Sequence, residues 1–338
     1  MKFMDMVVRP VPMLSRVAES IYWMSRYVER AENVARFIDV NLHLMLDLPV
    51  ETKQQWEPLV TVTGDQELFT QRYGRAARDT VIQFLTFDSD YPNSIIACLR
   101  SARDNARSVR EIISSEMWES INEFYLLVAS KTAKDAAFTD PYAFFTKVKV
   151  GSQRFIGIRE GTMSHGEAWH FSQLGGLVER AEKTSRILDV KYFILLPKVE
   201  YVDTPYDNIQ WAALLKSASA LEMYRKRFRR ISPSRVVDFL MFDREFPRAI
   251  RHCLINAEES LHRITGSPPG LFSNEAERRL GRLRAEIDYA DINEVLEVGL
   301  HHYLDSFQTK LNAVDDAIFN TFFALRPPTS GSQSLRGS

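Results

Sequence analysis

The stretch Val28-Glu29-Arg30-Ala31-Glu32-Asn33-Val34-Ala35-Arg36-Phe37-Ile38-Asp39-Val40 has the spacing of a long amphipathic helix. Within 13–45, Met24, Tyr27, Val28, Ala31, Val34, Ala35 and Ile38 recur three and four residues apart. Each residue turns a helix by about 100°, so these positions share one apolar face. The stretch then returns: Val178-Glu179-Arg180-Ala181-Glu182, Arg186 and Asp189-Val190 stand 150 residues after their counterparts, as from Glu29 to Glu179. A second block, Phe84-Leu85-Thr86-Phe87-Asp88 with Pro92, Ile95, Cys98 and Leu99, returns 155 residues on. There it reads Phe239-Leu240-Met241-Phe242-Asp243 with Pro247, Ile250, Cys253 and Leu254. Gln55-Trp56 and Arg72 keep the second spacing with Gln210-Trp211 and Arg227, so a single five-residue insertion between the blocks accounts for the change.

Ordered matches of this kind mark an internal duplication. The expected architecture is all-α, a helical bundle over 13–326 built from two homologous repeats, about 13–160 and 161–326, packed about a pseudo-twofold axis. Composition agrees with helix. Glycine and proline each number 14 in 338 residues, and no sustained apolar/polar alternation of the strand type occurs. Pro10 and Pro12 make 1–12 an irregular extension, and the Ser/Gly-rich 327–338 reads as a disordered tail. Helix starts are marked by a capping residue before proline at Asp140-Pro141, Thr204-Pro205 and Ser232-Pro233. In the Phe-x-x-Phe-Asp-x-x-aromatic-Pro block a helix ends near the aspartate and the proline opens the next. The last periodic segment, Asp291 to Leu325, reads as one long helix.

Charge narrows the function. With 43 basic and 44 acidic residues the net charge is −1, which argues against wholesale nucleic-acid binding. Two cysteines are too few for a disulfide framework, and no apolar run reaches the length of a membrane span, so a cytoplasmic protein is expected. Cys98 and Cys253 sit between Ile and Leu neighbours and read as core residues. There is no glycine-rich phosphate loop, no Gly-x-Ser-x-Gly elbow and no Cys-x-x-Cys pair, which argues against independent ATP hydrolysis or serine-type catalysis.

The candidate chemistry lies in the repeated motif. Glu29, Glu32 and Arg36 lie within about 60° of one another on the helix wheel, off the apolar face, and Glu179, Glu182 and Arg186 repeat them. Three readings stay open: an inter-repeat ion-pair network, a solvated flank with i,i+4 pairs, and a ligand site holding an anionic group. Arg100, Arg103, Arg107 and Arg110 form a basic stripe that the second half breaks with Ile255, Glu258, His262 and Thr265. Guanidiniums so placed hold carboxylate or phosphate, or meet acids of a neighbouring helix. The connection 157–170 carries His165, two further acids and Ser164-x-x-Glu167, which reads as a capping box opening the second motif helix. Two Glu-x-x-His pairs, Glu167/His170 and Glu259/His262, resemble di-metal ligand spacing, but they occupy non-equivalent repeat positions, so no metal site is assigned.

From Met13-Leu14-Ser15-Arg16-Val17-Ala18-Glu19-Ser20-Ile21-Tyr22-Trp23 into Val28-Glu29-Arg30-Ala31-Glu32, the chain resembles the bacterial alpha-E domain family. Pro92-Asn93-Ser94-Ile95, 100–107, 116–119, 163–169 and 284–291 extend the resemblance nearly full length. It implies an all-helical protein that accompanies circularly permuted ATP-grasp proteins and transglutaminase-like proteins in peptide or amide-bond chemistry. The leading expectation is an accessory protein, not catalytic by itself, that binds the ligase or its peptide substrate and needs no cofactor. The rival is an enzyme built on Glu29, Glu32, Glu179 and Glu182, with Arg36, Arg186, Arg100, Arg103 and Arg107 holding an anionic substrate and His165 as a further candidate.

Overall fold

A computed structural model describes residues 13–47, 56–61, 63–195 and 205–324; the expected extension 1–12 and tail 327–338 lie outside the described residues. Every regular element among the described residues is helical. The first eight helices are α1 (Ser15–Asp47), α2 (Glu57–Thr61), α3 (Gln66–Tyr73), α4 (Arg78–Ile82), α5 (Ile95–Ser108), α6 (Ser115–Ala129), α7 (Ala133–Thr139) and α8 (Pro141–Thr162). The next eight are α9 (Glu167–Leu195), α10 (Pro205–Ser217), α11 (Leu221–Phe228), α12 (Pro233–Phe242), α13 (Ile250–Thr265), α14 (Glu275–Tyr289), α15 (Ile292–Val298) and α16 (Leu300–Ile318). α4 and α16 each run on into a π-helical turn, Gln83–Phe87 and Phe319–Phe323. No helix among the described residues is long and apolar enough to cross a membrane.

The two longest helices, α1 and α9, pack against each other at the centre. α1 is backed by α5 and α8, and α9 by α13 and α16. Met24, Ala31, Ala35 and Ile38 of α1 are fully buried, as are Leu174, Val178, Ala181 and Leu188 of α9. Each large aliphatic side chain so buried stabilises the fold by roughly 1.5–3 kcal/mol relative to exposure. One contiguous core runs from Ala18 to Phe323.

Local chemistry fixes the helix starts. Asp140 caps α8 through a bond from the Ala143 amide at 3.1 Å, with Pro141 supplying the first helical residue. α12 opens at Pro233 after Ser232 and α10 at Pro205, while Thr204 lies outside the described residues.

Two expected boundaries are corrected. Pro92 and Pro247 do not open helices: α5 begins at Ile95 with Ser94 as its cap, and α13 at Ile250 after Ala249. The prolines instead sit in a turn organised by aspartate. Asp88 accepts from the Asp90 amide and from Arg72, and Asp243 accepts from the Glu245 and Phe246 amides and from Arg227. The aromatic before each proline packs back on the preceding helix, Tyr91 on Phe84 and Phe246 on Phe239. The segment from Asp291 is also two helices, because Gly299 adopts φ +89°, a conformation that ends α15 before α16 starts.

Candidate functional site

Close approach of α1 and α9 builds the site. A side chain on Gly175 would collide with the Tyr22 carbonyl, so glycine there lets the helices meet at backbone distance. Ser25 and Ser172 share a 2.6 Å hydrogen bond in the same interface. One to two turns further on, the two Glu-Arg pairs interlock. Arg30 donates through Nε and Nη2 to the two oxygens of Glu179, at 2.7 and 2.9 Å. Arg180 reaches back to Glu29, with Nε to Oε1 at 3.2 Å and Nη2 to Oε2 at 2.8 Å.

The remaining motif residues sort into two sets. In the first, Arg248, from the turn before α13, spans Glu29 and Glu32 at 2.7 Å each and also reaches Asn33. Glu32 takes Arg36 Nε at 2.8 Å and the Ser152 hydroxyl at 2.6 Å. In the second, Lys183 lies 3.3 Å from Glu179 and 3.1 Å from Glu182, while Arg186 Nε pairs with Glu182 at 2.7 Å. Arg26 bonds Glu179 at 2.9 Å and Asp315 at 2.6 Å, and the amide oxygen of Asn93 accepts from Arg30 at 2.8 Å. Beside this second set lies a cleft of about 270 Å³, whose lining includes Arg26, Arg30, Lys183 and Arg186 together with Val34, Phe37 and Leu85.

The helix wheel places these carboxylates off the apolar face of α1 and α9, and they are nonetheless buried. Glu29, Glu32 and Glu179 are at most 3% exposed. Among the three readings, the solvated flank therefore does not describe them. Burial alone pushes the Glu29 carboxyl up, but Arg180 and then Arg248 overcome it and hold it well below the ordinary value. Burial acts the same way on Glu179, where Arg30, Lys183 and Arg26 more than offset it. Glu182 is also lowered, burial and the neighbouring Glu179 being outweighed by Lys183 and Arg186. Carboxylates held ionised in this way are poor proton donors and weak bases near neutrality.

The other candidates lie apart. Arg100 and Arg107 of α5 are exposed. Arg103 is engaged, donating to Asn122 at 2.7 Å and lying over Tyr125 and Trp118. α5 ends at Ser108, so Arg110 falls beyond it, over Trp118, and the helical stripe is shorter than expected. His165 is exposed and stacks on Trp169 at 4.3 Å. Ser164 does not cap α9: the helix begins at Glu167, whose carboxylate accepts from the Met13 amide at 3.1 Å. His165, Glu167, His170 and Glu259 line an open cleft of about 920 Å³ between α9 and α13. His262 instead bonds Ser267 at 2.8 Å. No cluster of three or more potential metal ligands occurs among the described residues. Cys98 and Cys253 are buried with their thiols pushed up to about 12 by burial, each donating to a proline carbonyl, of Pro92 and Pro247.

Arg30 and Arg180 carried a signal, since both stand inside the repeated five-residue motif. Arg248, Lys183, Asn93 and Arg26 carried none, because the two halves differ at those positions.

A family model described as a predicted alpha-helical domain with a conserved ER motif, Alpha-E, matches residues 13–323. The chain is also similar to an uncharacterized protein of Mycobacterium bovis, 24% identical over 95% of this chain and 38% of the relative. Uncharacterized proteins of two Mycobacterium tuberculosis strains match at 24% and 23% over the same shares. The chain thus spans less than two fifths of the length of these curated relatives. No solved structure matches it.

Proposed function

The chain belongs to the Alpha-E family, and from that premise we propose that it is a helical scaffold acting with a circularly permuted ATP-grasp ligase in peptide or amide-bond formation, without catalysis of its own. The observation that carries the scaffold reading is the buried reciprocal exchange of Arg30 with Glu179 and Arg180 with Glu29. Motif groups engaged in this way hold two helices in one register, a role attested for buried polar pairs. Glu29, Glu179 and Glu182 are held ionised, so none offers the raised carboxyl that acid–base work by this set would need. Those three carboxylates therefore favour the scaffold over the enzyme.

In this reading the two Glu-Arg dipeptides are the family's ER motif, and the chain is two duplicated halves about a pseudo-twofold axis. Helix lengths support it: α3 and α11 have eight residues, α6 and α14 fifteen, and α7 and α15 seven. The ligase partnership rests on the family resemblance, and fold-level analogy alone does not fix a function. Its test is co-expression of the full chain with the circularly permuted ATP-grasp protein of the same genome. Co-elution and altered ligase output are expected; separate elution with unchanged output overturns the proposal.

A further inference from the structure

Two short helices end alike on different residues. α3 closes on Gly74 at φ +70°, and α11 closes on Arg229 at φ +58°. These positions stand 155 residues apart, the spacing that also relates Arg72 to Arg227. Glycine enters this region of backbone space freely, whereas a residue with a side chain is strained there. At Arg229 the strain is that of a γ-turn, in which the Arg230 amide donates to the Phe228 carbonyl at 2.6 Å. The phenol of buried Tyr224 holds the turn, donating to the Arg230 carbonyl at 3.1 Å and accepting from the Ser232 amide at 3.1 Å. The residue 155 positions earlier, Phe69, has no hydroxyl with which to do so.

The turn so held is the middle of a cation patch. Arg225, Lys226, Arg227, Arg229, Arg230 and Arg235 fall within eleven residues that include no acid, whereas 70–80 carries three arginines and one aspartate. All six are exposed. Arg227 pairs with Asp243. Among the described residues the other five make no ion pair, although Glu222 stands four residues before Lys226 and Asp238 three after Arg235. The C-terminal dipole of α11 favours cations in its last turn, but Arg230 and Arg235 lie past it. At Arg229 the chain therefore holds a charge in a conformation that glycine would serve better.

The surroundings select the partner. Those six cations leave a net charge of −7 on the remaining chain, so a long polyanion running past the patch meets repulsion. The ring of Phe228 is already engaged by Arg227, Arg235, Tyr224 and Phe239, which leaves it no place for a stacked base. Met223, one turn before Lys226, is 46% exposed and offers an apolar contact beside the charges. We propose that this turn is a docking surface for a short acidic segment of a partner protein. Its carboxylates meet Lys226, Arg229 and Arg230, and an apolar side chain rests on Met223. The surface does not depend on the ligase partnership, so failure of either leaves the other in place.

The probe is a fluorescein-labelled peptide of four glutamates and two leucines, titrated into the full chain by fluorescence anisotropy. The same peptide with glutamine for glutamate, a thymidine hexanucleotide and phosphatidylserine vesicles are the comparators. Saturable binding of the glutamate peptide, about tenfold tighter than the glutamine peptide or the hexanucleotide and weakened by salt, is expected. Arg229→Gly removes one cation and the strain together, so binding weakens about threefold while the melting temperature holds or rises. Adding Arg230→Gln takes the loss to about tenfold, and Arg282→Gln, at an exposed and unpaired arginine elsewhere, leaves binding unchanged. Absence of saturable binding, preference for the hexanucleotide or the vesicles, or undiminished affinity in the double variant each overturns the proposal. So does a lower melting temperature in Arg229→Gly, which would assign that arginine to the fold.

Discussion

Arg30 grips both oxygens of Glu179 from the neighbouring helix, at 2.7 and 2.9 Å, in an environment where the carboxylate has no solvent exposure. A planar fork on a planar acceptor fixes rotation as well as distance between α1 and α9. Glu179→Ala leaves Arg26, Arg30 and Lys183 with an uncompensated buried charge, a defect of about 3–5 kcal/mol. Urea denaturation is expected to show that loss, and a double-mutant cycle with Arg30→Ala a coupling well above the ~0–1 kcal/mol of surface pairs. Simple additivity of the two substitutions would remove the register role assigned to the pair.

Acid should dissolve the same interface. Glu29 and Glu179 have folded-state values lowered by their arginines, so each contributes stability that is fully present above the unfolded glutamate value of about 4.3. That contribution is lost as pH falls below it toward the folded values. Thermal melts between pH 7 and pH 2.5 should show a steep decline starting near pH 4.5, and Glu29→Gln should flatten the acid limb. An acid limb of unchanged slope in that variant would place the pH sensitivity elsewhere.

Adjacent glycines on α9 should respond in opposite senses. A Cβ at Gly175 meets the Tyr22 carbonyl, whereas one at Gly176 meets nothing within 4 Å. Gly175→Ala forces the helices apart at a cost of about 1–3 kcal/mol. Gly176→Ala removes unfolded-chain entropy and stabilises by about 0.5–1 kcal/mol. Equal melting temperatures for the two variants would show that the helices do not meet closely at that point.

Cys98 and Cys253 should be silent to thiol reagents. Each is fully buried, with burial pushing the thiol up to about 12, so the reactive thiolate is nearly absent at pH 8. Ellman's reagent is expected to count no thiols in the native chain and two in guanidinium. Fast native labelling of either would assign it a reactive surface position.

What the sequence disclosed follows from what a single helix can disclose. Period and proline placement located α1, α8 and α12 because those signals act within one element. The fate of Glu29 and Glu32 was not legible from the wheel. Their burial is decided by Arg180 and Arg248, which arrive from 151 and 219 residues away along the chain. A polar face reads as solvated until the helix that covers it is known. The break at Gly299 escaped for a different reason: the apolar period runs across it, and only the positive φ stops the helix.

The exchange of Asn33 with Arg248 against Lys183 with Asn93 bears on how such an interface changes over generations. Each set keeps one amide and one cation while trading which segment carries them. Taken singly, either half of the trade strands a charge or crowds two, so the intermediate steps are disfavoured. Lineages should cross by paired substitutions. Scored position by position, the two sets show two unrelated mismatches, although together those positions carry the same electrostatic sum.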